Sequence, residues 1–278
     1  MQFGVIAALL LANIFVWTFP IPHGLRVSFF DVGEGDSVFI QGPTGVKVLV
    51  DGGPAGGGVL RTLGSAMPFF DRSLDVVVES TPNADDSAGL TDVLGRYKVG
   101  TFIESGILGT TKAAQAVQDA VIQNGTRDVV ARRGMRLLLG GGAYADILYP
   151  DSDVSNADSG SGSIVMHVVY GATSLLLTGD SSQKIEKYLV GLDGAGLQSD
   201  VLKAGHHGSK TSSAPEFVQT VSPLYTIFSR GCANKYGFPS EEVVAVFQNA
   251  GAQILDTCEN GTIMFVSDGK ILQFTAGR

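Results

Sequence analysis

The chain has 278 residues, 44 % hydrophobic and 17 % charged, and its 19 basic and 27 acidic side chains leave a net charge of -8. Ample Val, Ile, Leu and Phe without charge blocks excludes whole-chain disorder, and 37 glycines without a triplet period exclude collagen. The acidic balance argues against avid, sequence-independent binding to duplex DNA, while Cys232 and Cys258 are too few for a disulfide scaffold and lack zinc-knuckle spacing.

No charged residue precedes Arg26, and residues 3–19 are apolar apart from Asn13 and Thr18. A helix over residues 1–22 rises about 31–33 Å, enough for a hydrocarbon core of roughly 30 Å. Trp17 and Phe19 suit an interfacial belt, and Pro20 and Pro22 end the helix. The segment lacks the basic start and small-residue cleavage site of a signal peptide. We therefore expect a single membrane span at 1–22 and a soluble domain at 25–278, the alternative being a buried N-terminal helix.

From residue 25 the pattern turns to short strands punctuated by glycine. Strands are expected at 25–30, 37–41 and 46–50, forming an antiparallel meander, and then at 74–79, 99–104, 163–169, 174–178, 200–204 and 224–229. Helices are expected at 59–67, 89–96, 111–124, 182–190, 214–221 and 240–249. Ser213 to Glu216 reads as a capping box with Pro215 in the first turn, and Ser240 as an N-cap. Residues 151–162 form the longest loop. Arg127, Arg132, Arg133 and Arg136 read as guards of a strand edge, with tracking of a nucleic-acid backbone as the other reading.

Three polar loops follow apolar strands: Thr81 to Asp86, Thr178 to Asp180, and Gly205 to Ser209 with its adjacent His206 and His207. Brought to one sheet edge, Asp85, Asp86, Asp180, His206 and His207 supply the oxygen and nitrogen donors of a hydrolytic metal centre. Singly, Asp85 or Asp86 is better explained as a turn-former or helix cap. Asp31, Asp36 and Asp51 are expected to brace the turns around the site by accepting backbone hydrogen bonds. Ser209, Lys210, Thr211 and Ser212, just before a capped helix N-terminus, are candidates for holding a phosphate.

The run from Phe29 to Ser37 (F-F-D-V-G-E-G-D-S) resembles the opening of the metallo-β-lactamase-like domain of the competence protein ComEC family. Leu49 to Gly53, Leu175 to Asp180 (L-L-L-T-G-D), Leu202 to Ser212 (L-K-A-G-H-H-G-S-K-T-S) and Asn234 to Ser240 (N-K-Y-G-F-P-S) resemble its later segments in the same order. The resemblance implies a four-layer αβ/βα sandwich, a part in uptake of single-stranded DNA, and phosphodiester hydrolysis with two metal ions, commonly manganese or zinc. It also implies a translocation channel that another chain supplies, and a domain placed outside the cytoplasm.

The family pattern H-P-x-A-D-H-x-G-G-L stands here as T-P-N-A-D-D-S-A-G-L over residues 81–90, so both histidines are replaced, and Phe238 takes the place of a later one. Asp180 matches the aspartate that bridges two metals. A carboxylate-rich remnant suits Mn²⁺ or Mg²⁺ better than Zn²⁺. Two readings stand: weakened hydrolysis at a surviving metal, or a metal-free binding or scaffold module. A hydrolase of another metallo-β-lactamase branch is a third.

Overall fold

The computed structural model of the protein describes residues 24–277. The expected membrane span at 1–22 lies outside them, and among the described residues no helix is long and apolar enough to cross a membrane.

Residues 25–29, 38–41 and 47–50 alternate or run apolar between glycine-rich turns, and they form the expected meander: β1 (Leu25–Phe29), β2 (Val38–Gln41) and β3 (Lys47–Val50), each antiparallel to the next. β4 (Ser73–Glu79), β5 (Lys98–Glu104) and β6 (Arg127–Val130) continue this sheet in parallel. The second sheet takes β7 (Arg136–Gly140), β8 (Ala143–Tyr149), β9 (Val165–Tyr170), β10 (Thr173–Leu177), β11 (Val201–Lys203), β12 (Tyr225–Phe228) and β13 (Gln253–Asp256). The chain then returns to the first sheet with β14 (Ile263–Ser267) beside β1, and β15 (Leu272–Ala276) outside it.

Both sheets bury two faces, which makes four layers. Phe29, Ile40 and Val48 of the first sheet meet Met166, Leu175 and Ile227 of the second in the central core. The outer face of the first sheet packs on α1 (Gly58–Ala66), α3 (Leu90–Arg96) and α4 (Lys112–Asn124), reached after the short α2 (Ala84–Ser87). In α4 the buried Ala114, Val117 and Val121 recur at helical spacing, Thr111 Oγ1 accepts the Ala114 N–H at 3.1 Å, and Gly125 in the left-handed conformation ends the helix. The second sheet packs on α6 (Gln183–Asp193), α7 (Pro215–Val221) and α8 (Glu241–Asn249), the last capped by Ser240. Between these lie α5 (Ser159–Gly162), one helical turn inside the expected long loop, and after them α9 (Thr257–Asn260).

Two local expectations need correction. Ser213 does not cap α7. Ala214 occupies the cap position, and the N–H groups of Ser213 and Ala214 are taken at 2.8 and 2.7 Å by the Glu186 carboxylate from α6. Arg127 and Arg136 lie on β6 and β7, the edge strands of their sheets, with Arg132 and Arg133 in the turn between them, yet two of the four are committed to partners: Arg133 to Asp193, and Arg136 to Asp146 at 2.6 Å while lying 3.8 Å over the Tyr144 ring. The disulfide between Cys232 and Cys258 joins the loop after β12 to α9.

Candidate metal centre

The turns after β1, β3, β4, β10, β11 and β12 all leave the same end of the sandwich, so the polar loops of the sequence meet there. Asp36, Asp86, Asp180 and His207 are buried together, each offering a ligand atom within 4.8 Å of the others. Close approach of the loops depends on Gly35, where a Cβ would fall 1.8 Å from the carbonyl oxygen of Asp85. His206 and His207 follow with φ of 49° and 55°, an unfavourable left-handed pair for side chains with a Cβ, held by the folds of chain on either side.

Charge is balanced internally. Lys203, itself buried on β11, places Nζ 2.5 Å from Asp36 Oδ2, and His207 Nδ1 lies 3.3 Å from Asp36 Oδ1. Burial alone would raise the Asp36 carboxyl, but Lys203 and His207 outweigh it and hold the group down at about 2. For His207 burial acts downward, and the Asp36 and Asp86 carboxylates overcome it, lifting the imidazole to about 10. Burial and the neighbouring Asp180 push Asp86 well above the usual carboxylate range. Asp51 is lifted to about 8 by burial and by Asp36, while its Oδ1 accepts the Ser80 N–H at 2.8 Å.

The Nδ1 of His207 lies 3.0 Å from the Ser229 carbonyl, a contact that, with the proton on Nδ1, leaves Nε2 facing Asp86 Oδ1 at 3.6 Å. Asp180 Oδ2 accepts the Asn83 amide at 2.6 Å. The remaining oxygens, Asp86 Oδ2 and Asp180 Oδ1, are buried without a hydrogen-bond partner. Such orphaned acceptors converging on an imidazole nitrogen fit one hard divalent cation. Beside them Thr81 offers one buried neutral hydroxyl, and the Phe238 ring lies 5.7 and 6.5 Å from the His206 and His207 rings.

Several sequence candidates stand apart from this cluster. Asp85 faces the Tyr236 hydroxyl at 3.3 Å, and His206 lies 3.4 Å from Thr211 Oγ1; both line a cavity of about 500 Å³ that opens onto the cluster. Asp36, expected to brace a turn with its side chain, instead carries the ion pair with Lys203, while its backbone N–H donates to Asp86 at 2.8 Å. Asp31 does accept the Gly33 N–H, at 3.3 Å. Ser212 donates to the Ser181 carbonyl at 2.7 Å, Ser209 and Thr211 share a hydrogen bond at 2.9 Å, Glu186 occupies the α7 N-terminus, and Lys210 and Thr211 are exposed. Sequence reasoning missed Lys203 and Tyr236; the first was visible as a lone lysine inside an apolar strand. Tyr236 stacks on Phe238 with centroids 5.4 Å apart, and forms the wall between the first cavity and a second of about 520 Å³ that Glu34 and Cys232 also line.

No model of a known protein family matches the chain. Four curated relatives do, among them competence protein ComA of Neisseria gonorrhoeae, 32 % identical over 240 residues, and ComE operon protein 3 of Bacillus subtilis, 28 % identical over 271 residues. These alignments take in 86 % and 90 % of this chain. Among solved structures, the metallo-β-lactamase fold protein YhfI of Bacillus subtilis superimposes with a TM-score of 0.56 over 90 % of this chain and 100 % of its own, at 13 % identity. The chain belongs to the metallo-β-lactamase-like competence proteins. It spans about one third of the length of those two relatives, 32 % of one and 34 % of the other. The diiron β-hydroxylase CmlA of Streptomyces venezuelae, with a TM-score of 0.55 at 15 % identity over 85 % of this chain and 53 % of that one, shares the fold alone.

Proposed function

We propose that this competence-type domain acts at the cell membrane in DNA uptake, as a slow, single-cation phosphodiesterase on single-stranded DNA. The observation that carries this reading is the buried cluster of Asp36, Asp86, Asp180 and His207, whose ligand atoms lie within 4.8 Å of one another, with Asp86 Oδ2 and Asp180 Oδ1 lacking a hydrogen-bond partner. Asp86, Asp180 and His207 would hold the cation, and their oxygen-rich set favours Mn²⁺ over Zn²⁺. A bound divalent ion supplies Lewis acidity and lowers the pKa of a coordinated water. The chain's own residues fix the geometry: Asn83 orients Asp180, Ser229 orients His207, and Lys203 holds Asp36 behind them. Tyr236 and Phe238 wall the cavity and limit water there. With Thr81 and Phe238 offering no anionic or imidazole donor, charge developing on the phosphoryl oxygens lacks a second fixed cation, and the rate is correspondingly low.

The disulfide supports an extracytoplasmic position, since such bonds persist in oxidising compartments. The uncharged residues 1–22 support a membrane attachment, and a translocation channel is the partner we propose. A second reading, a metal-free scaffold or binding module, is favoured by one observation: Lys203 and His207 already offset the clustered carboxylates.

Calorimetric titration of the full chain in detergent with Mn²⁺ separates the two. One saturable site, absent in Asp180→Ala, and slow Mn²⁺-dependent cleavage of a single-stranded oligonucleotide are expected. Lack of saturable binding of Mn²⁺ or Zn²⁺ leaves the scaffold reading.

A further inference from the structure

The two ends of the sandwich differ in character. The metal centre lies where β3, β4 and β10 to β12 finish; the other end is where β1 begins and where the chain arrives through Gly24. That glycine is packed so closely on β14 that a Cβ would lie 2.4 Å from the Ser267 carbonyl oxygen, which fixes the point of entry. Residues 1–23, without a charged side chain, therefore join the molecule at the end remote from the site.

Large apolar side chains are exposed at that same end. Phe69 is 81 % exposed in the turn before β4, its ring edge-on to that of Phe70 with centroids 5.4 Å apart. Ile271, 61 % exposed, sits in the turn between β14 and β15, and Leu224, 60 % exposed, just before β12. The strand order β15, β14, β1, β2, β3, β4 puts Ile271 two strands to one side of β1 and Phe69 three strands to the other. At roughly 4.8 Å per strand, they stand about 10 and 14 Å from the point of entry. Single exposed hydrophobics need no explanation, but these bracket the attachment of an uncharged apolar segment.

Charge at this end is mixed, with cations in slight excess, whereas the chain as a whole is acidic. Arg26, Arg72, Lys98, Arg127 and Lys270 are exposed around it. Of the neighbouring acids Asp71 pairs with Lys47 at 2.7 Å, while Asp75, Asp128 and Asp268 are exposed, Asp75 accepting the Lys47 N–H and Asp268 the N–H groups of Lys270 and Ile271, all at 2.8 Å. Aromatic and aliphatic tips among exposed arginines and lysines suit the boundary of an anionic bilayer, where rings enter the headgroup layer and arginine and lysine meet phosphates.

We infer that the end of the sandwich where β1 begins lies against an anionic lipid surface, with Phe69 and Ile271 in its headgroup layer and the metal centre facing away from it. This rests on the proposed membrane attachment of residues 1–22. Strands of five to seven residues, at about 3.3 Å each, then hold the catalytic cavity roughly 20 Å above the headgroups, open to a strand of DNA arriving from the aqueous side.

The test uses the full chain in vesicles of phosphatidylcholine and phosphatidylglycerol. In a Trp17→Phe background the reporters are Phe69→Trp and Ile271→Trp on the proposed face and Tyr236→Trp at the opposite end, each recorded with and without brominated lipid. Emission from the first two is expected to fall to roughly half while that of Tyr236→Trp stays unchanged, and adding Arg72→Glu with Lys98→Glu should restore it. Flotation of the same samples reports attachment itself. Protein that floats but shows no quenching at Phe69→Trp and Ile271→Trp, or equal quenching at Tyr236→Trp, overturns the inference; protein that does not float overturns it together with the membrane reading.

Discussion

Glu186 shows how one buried carboxylate can do the work assigned to a cap. It lies beneath α7, accepts the Ser213 and Ala214 N–H groups, and is nearly inaccessible to water. Burial raises its carboxyl, the two N–H donors oppose this in part, and the result is about 7. A carboxyl raised on folding from 4.5 means that the native state holds the proton more tightly. Its contribution to stability is then complete below about pH 4.5 and is lost as pH climbs to about 7, a difference on the order of 3 kcal/mol. Urea denaturation at pH 5 and pH 8 should show wild type losing about that much more than Glu186→Gln, which has no charge to bury. Equal losses in the two proteins would remove Glu186 as the cause. The same reasoning explains why Lys203 is tolerated in the interior: the ammonium and the Asp36 carboxylate are buried as a pair, and neither is stable there alone.

At the level of elements, the segment most tied to the site is the loop from Ser229 to Phe238. Its first residue holds His207, its Tyr236 separates the two cavities, and its Phe238 lines the cavity beside His206 and His207. The disulfide fastens this loop to α9 across a separation of 26 residues, a closure worth roughly 3 kcal/mol in the chain-entropy model. Replacing both cysteines with serine should lower stability by about that amount and speed amide exchange at 231–239, leaving the β10 and β11 amides at their wild-type rates. Unchanged exchange in the loop would mean that Asn234, which binds the Phe238 N–H at 2.8 Å, is a sufficient tether. This loop also marks the limit of what the sequence disclosed. Strands with continuous apolar runs, such as β4 and β10, and helices with clear spacing, such as α4, were legible to within a residue or two. β6 to β8 and β13 to β15 were not singled out: most are edge or outer strands, with alternating or largely exposed patterns that a short polar run also shows. At the site, Asp86, Asp180 and His207 could be named from their loops, whereas Asp36 joins them because β1 and β11 lie in different sheets, a pairing set by the stacking of the sandwich.

For the whole molecule, the site and the core are one thermodynamic object, because the four residues of the buried cluster come from four separate segments that only the stacked sheets bring together. An unfolded chain has no such cluster, so a cation that binds the native form must stabilise it by mass action, by about 2.7 kcal/mol at a hundredfold excess over its dissociation constant. For a domain of this size each kcal/mol moves the melting temperature by roughly 2–4 °C, giving an increase of about 5–10 °C in saturating Mn²⁺. Burial and Asp180 raise the Asp86 carboxyl, and the Asp36 and Asp86 carboxylates raise the His207 imidazole, so the cation binds with release of protons and the increase should grow as pH rises. Asp180→Ala should remove the increase while itself melting close to, or above, the metal-free wild type, since the substitution also relieves the repulsion between the two carboxylates. Thermal denaturation of both proteins in EDTA, Mn²⁺ and Ca²⁺ checks this. An equal rise in the two proteins would locate the stabilising cation elsewhere on this acidic chain, and no rise in either would leave Lys203 and His207 as the permanent counterions of the cluster.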